Sequence, residues 1–187
     1  MKTFRFDDIS INTDMVTANK MMEYIYKNIP SSRVIYAMSP MVFNMSKEDS
    51  SERKQSLFPK MMNALSDYKL RYKVQLCGLP DIPSKVIRAG HGLVHIDHRL
   101  MDKPAQELSI VASCGLADGN IFVPPENKWN HHTEDICREH QIELIKFENG
   151  WLSMEHNLYD ESHDLYYCHP RAFTFAGFKS WFENKKL

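Results

Sequence analysis

Phe6-Asp7-Asp8-Ile9 near the start of the chain and His91-Gly92-Leu93-Val94-His95 far downstream hold the side chains best suited to joint chemistry. Asp8, His91 and His95 offer one oxygen and two nitrogens, a donor set that suits Zn2+ or another first-row divalent metal and keeps positions open for water. Open positions point to catalysis rather than structural support. A water activated at such an ion needs a base, and a tetrahedral intermediate needs an acid to protonate a departing amine. Asp7 is left over for the first role. His169, delivered at the end of the apolar run Leu165-Tyr166-Tyr167-Cys168, suits the second. Two adjacent acids closing an apolar strand pay for desolvation and mutual repulsion, so folding alone gives little reason to place both there.

The histidine spacing carries little weight by itself. With nine histidines in 187 residues, His-x-x-x-His arises about 0.4 times by chance. The four-residue step reads as one helical turn with both imidazoles on one face, and Gly90 and Gly92 as places where the backbone approaches the ion. His98, His131, His132, His140, His156 and His163 read instead as surface or hydrogen-bonded core residues.

The elements that must position these groups follow from periodicity. Lys2 to Ile9 alternates as a strand, with Phe4 and Phe6 on one face and Thr3, Arg5 and Asp7 on the other, so the polar face looks into a functional interior or a wet end. Asn12-Thr13-Asp14 caps a helix from Met15 to Asn28 that buries Met21, Met22, Ile25 and Ile29 and stops at Pro30. Arg33 to Met38 is a second strand ended by Ser39-Pro40. Ser46 to Arg53 reads as a loop or lid, with a solvated charge run at Lys47 to Lys54, Phe58 to Tyr68 as a helix, and Tyr72 to Cys77 as a third strand. Val86 to Arg88 is a short strand leading into the Gly90-His91-Gly92 turn. Leu108 to Ser113 and Asn120 to Val123 are short apolar runs. His131 to His140 is helical, Ile142 to Phe147 and Leu165 to Cys168 are strands, and a helix over roughly 175–185 closes the chain. Strands alternating with helices predict an α/β domain with a largely parallel sheet or barrel, whose sites gather at the C-terminal strand ends. Asp7-Asp8, His91 and His169 fall at such ends.

Length and composition narrow the partners. A chain of 187 residues fits a single catalytic domain, 1–187. Its 23 basic and 24 acidic residues leave no excess charge for a polyanion, so nucleic acid is not an expected partner. The absence of an apolar run of about 18 residues and the early charges Arg5, Asp7 and Asp8 predict a cytoplasmic protein without membrane insertion. Cys77, Cys114, Cys137 and Cys168 contain no Cys-x-x-Cys pair and read as reduced core thiols.

The order of these motifs resembles the polysaccharide deacetylase (NodB-homology, carbohydrate esterase) superfamily. Phe-Asp-Asp closes the first strand, a His-x-x-x-His loop and the Pro124-Pro125 loop follow, and a late strand ends in His169, so the resemblance runs from about residue 3 to residue 171. It implies a distorted (β/α) barrel of about seven strands, with Asp7 as general base, Asp8, His91 and His95 as metal ligands and His169 as general acid. Three departures stand out. Gly92 replaces the Ser or Thr that usually follows the first metal histidine. Val123 stands where the family carries the arginine that orients the base; Arg5 or Arg171 remains to supply that charge. The family's Asp-x-x-Asp-Trp motif has no clear equivalent, although Trp151 with Glu155 and His156 occupies its approximate place.

The expected activity is metal-dependent removal of an N-acetyl group from a carbohydrate, with a precursor of a surface polysaccharide as the expected substrate. Pro125, Asn127 and Trp129 read as a sugar-binding loop, since an aromatic face covers a pyranose face while amides bond its hydroxyls. A catalytically impaired relative that binds a sugar or protein partner, and an amidohydrolase on a small non-sugar substrate, remain as alternatives.

Overall fold

The computed structural model describes residues 1–39, 41–43, 74–76, 79–93, 95, 97–146, 158–160, 164–170 and 173–185. Strands β1 (Thr3–Ile9), β2 (Arg33–Met38), β5 (Ile87–Gly90), β6 (Ile121–Phe122), β7 (Glu143–Leu144), β8 (Leu158–Asp160) and β9 (Leu165–Cys168) form one seven-stranded sheet in the order β7-β6-β5-β2-β1-β9-β8. Every pairing in it is parallel except β8 with β9. This is the expected α/β sheet of about seven strands. Among the described residues its edge strands β7 and β8 do not pair, so the barrel stays open.

Alternation along β1 divides the sheet into two faces. Phe4 and Phe6 join Val34, Tyr36, Met38, Tyr166 and Cys168 in a core covered by α1 (Met15–Asn28) and the closing helix, which bring Met21, Met22, Ile25, Phe178 and Phe182. Each such side chain, fully buried, contributes about 1.5–3 kcal/mol. Ring stacking of Phe4 on Tyr166 and Phe6 on Tyr36 fixes their mutual orientation. Further along the sheet, α2 (Lys103–Ala117) and α3 (His131–Glu139) cover the same face, through Ile110, Cys114, Phe122, Ile136 and Cys137. The last helix, α4 (Phe175–Asn184), completes the layer. The opposite face is thinner. It carries Ile35, Ala37, Ala89, Ile121 and Val123 together with Arg5 and Asp7, all buried.

Local signals account for the helix ends. Asp14 accepts from the backbone N–H groups of Val16 and Thr17 and starts α1. Asp102 caps α2, with Pro104 in its first turn, and Asn130 and Thr133 form a reciprocal capping box on α3.

Several expectations are corrected. Leu108 to Ser113 lies inside α2 rather than forming a separate apolar run. The strand expected over Tyr72 to Cys77 appears as β4 (Val74–Leu76), which pairs antiparallel with β3 (Met41–Phe43) outside the main sheet. The strand β8 was not anticipated at all. Cys114, Cys137 and Cys168 are buried free thiols, as expected. The predicted loop at Ser46 to Arg53, the helix at Phe58 to Tyr68, Cys77, Trp151, Glu155 and His156 lie outside the described residues. No helix among the described residues is long and apolar enough to cross a membrane.

Gly90 shows how closely the helical layer sits on the sheet. A Cβ there would lie 2.6 Å from Ser113 Oγ and 2.7 Å from the Cys114 backbone nitrogen on α2, so the close approach needs a residue without one. Its role is therefore strand–helix packing rather than access to an ion. Replacing Gly90 by alanine should destabilise the fold by about 1–3 kcal/mol, because a backbone atom cannot move aside as a flexible side chain does. Equilibrium urea denaturation checks this, and an unchanged midpoint would mean that α2 does not pack this tightly.

Candidate metal and acid–base centre

The site begins with a problem of strand geometry. Neighbouring residues on a strand point to opposite faces, so Asp7 and Asp8 cannot both look inward from regular backbone. The chain resolves this with a bulge: Asp8 has a left-handed φ of 61°, and the pairing register of β1 with β2 shifts between Phe6 and Ile9. Aspartate tolerates that conformation better than most residues, and a bulge of this kind re-aims a side chain.

Re-aimed, Asp8 meets the histidines. Its Oδ1 lies 2.8 Å from His95 Nε2 and 3.3 Å from His91 Nε2, and its Oδ2 lies 3.4 Å from His169 Nε2. One donor atom from each of Asp8, His91 and His95 falls within 4.8 Å of the others. Burial alone would raise the Asp8 carboxyl, yet the neighbouring imidazoles of His91 and His95 hold it well below the usual carboxylate range. Burial works against a charged His95, but Asp8 beside it, helped by Glu126 and Asp7, leaves its pKa raised.

The two imidazoles do not sit on a helical turn. Residues 91–93 and 95 form irregular backbone after β5, with Gly92 at a left-handed φ of 77°. The loop is pinned by hydrogen bonds: His91 N–H donates to the Met38 carbonyl, the Ser39 hydroxyl to the His91 carbonyl, and Leu93 N–H to Ser109 Oγ on α2. Ser109 thus supplies a loop-fixing hydroxyl where the residue after His91 has none, and the positive φ explains why that residue is glycine. His91 Nδ1 lies 2.8 Å from the Val123 carbonyl, which can only accept, so this nitrogen carries a proton and Nε2 faces the cluster. Nε2 is buried without a hydrogen bond among the described residues. A backbone-anchored imidazole whose other nitrogen faces a carboxylate is an arrangement that could hold a divalent metal.

Asp7 occupies the inner face with Arg5. Arg5 is 0% exposed and Asp7 2%. Arg5 Nε lies 2.8 Å from Asp7 Oδ1 and Nη2 lies 2.7 Å from Oδ2, a two-point grip that fixes the carboxylate in rotation. Arg5 Nη1 also donates to Asn127 Oδ1 at 3.2 Å and to the Ile145 carbonyl at 3.3 Å. Of the two arginines proposed to hold the base, Arg5 is in contact with it, and Arg171 lies outside the described residues.

The expected sugar-facing loop is only partly exposed. Pro125 is buried, and Asn127 is 0% exposed with its amide oxygen turned onto Arg5, so it offers nothing to a sugar hydroxyl. Trp129 is half-buried; its indole N–H donates to Glu134, and Lys146 Nζ sits 4.7 Å from the ring centroid. Val123 is fully buried and contributes its carbonyl to His91. Sequence reasoning missed the contribution of Ser109 and the inward turn of Asn127. Neither follows from spacing, because both depend on a distant element packing alongside.

No family model matches the sequence, and no curated protein matches it. Solved structures do. A CE4 family pseudoenzyme from Bacillus anthracis is 8% identical with a TM-score of 0.45, covering 78% of this chain and 42% of its own. A family 4 carbohydrate esterase from Streptomyces lividans is 9% identical with a TM-score of 0.44 over 79% of this chain and 62% of its own. A peptidoglycan deacetylase from Bacillus subtilis is 10% identical with a TM-score of 0.44 over 79% of this chain and 58% of its own. The chain therefore spans between 42% and 62% of the length of these proteins.

A buried ion pair is tested by stranding one charge. Arg5→Met should cost about 3–5 kcal/mol by leaving Asp7 uncompensated, and Arg5→Met combined with Asp7→Asn should recover part of that loss. Urea denaturation of both variants reads the difference; equal stabilities would show that Asp7 does not depend on Arg5.

Proposed function

We propose that this chain is a metal-dependent hydrolase that removes an N-acetyl group from a carbohydrate. The observation that carries the reading is the convergence of Asp8, His91 and His95 from two separate strand ends, beside a second acid held by its own arginine. Packing does not require such a set, and each buried charge in it costs desolvation. The carbohydrate class is supported by the order of motifs along the sequence, and a precursor of a surface polysaccharide is the substrate we favour within it.

Asp8, His91 and His95 would hold the metal, zinc by its preference for this nitrogen and oxygen set. When bound, the ion supplies Lewis-acid polarisation of the amide carbonyl and lowers the pKa of water in its coordination sphere. Asp7 takes the proton of the attacking water as the new carbon–oxygen bond forms. The grip of Arg5 keeps that carboxylate in one orientation, so no rotation has to be frozen at the moment of reaction. His169, within 3.4 Å of Asp8, gives a proton to the nitrogen as the carbon–nitrogen bond breaks, releasing acetate and the free amine. Trp129, half-buried on the loop after Pro125, is the side chain of that loop left to meet the sugar.

Acetate release from a panel of N-acetylated sugars, with zinc present, tests this directly. Asp7→Asn should lower kcat by roughly 10²- to 10⁴-fold while zinc affinity, measured by calorimetry, stays near wild type. Chelation should abolish turnover and added zinc restore it. A zinc-loaded wild-type protein that releases no acetate from any member of the panel would remove the hydrolase reading.

A further inference from the structure

The turn between Pro124 and Lys128 holds two successive residues, Glu126 and Asn127, with left-handed φ values of 54° and 52°. Outside glycine that conformation is strained, less for asparagine and more for a side chain such as glutamate. Strain of this kind persists only where the surroundings over-determine it. Here the restraints are visible. Asn127 N–H donates to the Pro124 carbonyl and Lys128 N–H to the Pro125 carbonyl, while Lys128 pairs with Glu126 and lies 3.7 Å from Asp97. The outcome of the strained turn is that an asparagine, a residue ordinarily found at the surface, is fully buried with its side chain on Arg5.

From this geometry we infer that Asn127 is a positioning residue: the strained turn drives its amide oxygen against Arg5 Nη1, and so fixes the guanidinium that grips Asp7. The chemistry of the contact supports the assignment. Arginine has donors and no acceptor, so only the amide oxygen can face it. A neutral acceptor steadies the guanidinium without competing for its charge, which stays available to Asp7. The Ile145 carbonyl holds the same nitrogen, and the Tyr167 ring lies with its centroid 5.4 Å from Arg5 Cζ, so the guanidinium is also fixed from these two places. Its contact with the catalytic machinery runs through Arg5. The catalytic consequence rests on the hydrolase reading above, whereas the mechanical claim does not.

Two variants separate the amide from the turn. Asn127→Gly keeps a residue at ease with positive φ and removes the acceptor; Asn127→Asp keeps an acceptor in the same place. In the zinc-loaded protein, hydrogen exchange of the Arg5 Nε–H group, followed by nitrogen-15 NMR, should quicken roughly tenfold in Asn127→Gly and stay near wild type in Asn127→Asp. Acetate release should show kcat falling roughly 10- to 100-fold in Asn127→Gly with KM unchanged. Wild-type exchange at Arg5 in Asn127→Gly would overturn the inference whatever the activity. Faster exchange in a protein whose wild type releases no acetate would uphold the clamp and overturn only the hydrolase reading. Loss of zinc affinity in Asn127→Gly would also overturn the inference, since it would tie Asn127 to the ligand set instead.

Discussion

A guanidinium sealed inside the sheet is the constraint on which the rest of the structure turns. Taking Arg5 out of water is tolerable only if its charge and its donors are met, and among the described residues these contacts include Asp7 on the same strand, Asn127 after β6, the Ile145 carbonyl after β7, and the Tyr167 ring on β9. That demand draws the ends of several parallel strands together. It also settles the problem of two neighbouring acids. Asp7 is neutralised by arginine on the inner face, and the bulge turns Asp8 toward imidazoles, so each carboxylate has its own counter-group and the two need not share one.

Much of this frame can be read from residue order. The i, i+2 relation of Arg5 and Asp7 places them on one strand face by parity alone, and Asp14, at the head of a run with apolar residues three and four apart, marks α1. The helix α2 escaped because its outward face carries Leu108, Val111 and Leu116, all exposed, which blurs the contrast that reveals an amphipathic helix. Its true start signals were Asp102 and Pro104.

The site was legible in its atoms and not in its backbone. Asp8, His91 and His95 suggest a shared ion by residue type, and the structure brings them together. The helical turn assumed from the four-residue step is absent because Gly92 takes positive φ and Ser109 captures the following N–H. Likewise nothing in Pro-Pro-Glu-Asn announces two left-handed residues. Such conformations are selected by what packs around them, here Arg5 on the inside and Asp97 with Lys128 near the surface.

The position of β1 in the sheet has a consequence for how the molecule comes into being. Thr3 is registered against Leu165 on one side and Arg33 on the other, so β1 is flanked by a strand made much later in synthesis. Closing a loop of that length precedes any reward from the contacts it makes, which is slow and leaves intermediates exposed. Until β9 arrives, the β1 edge that it covers stays open, a surface inviting wrong partners during synthesis. Truncation near the C-terminus should therefore undo the beginning of the chain as much as its end.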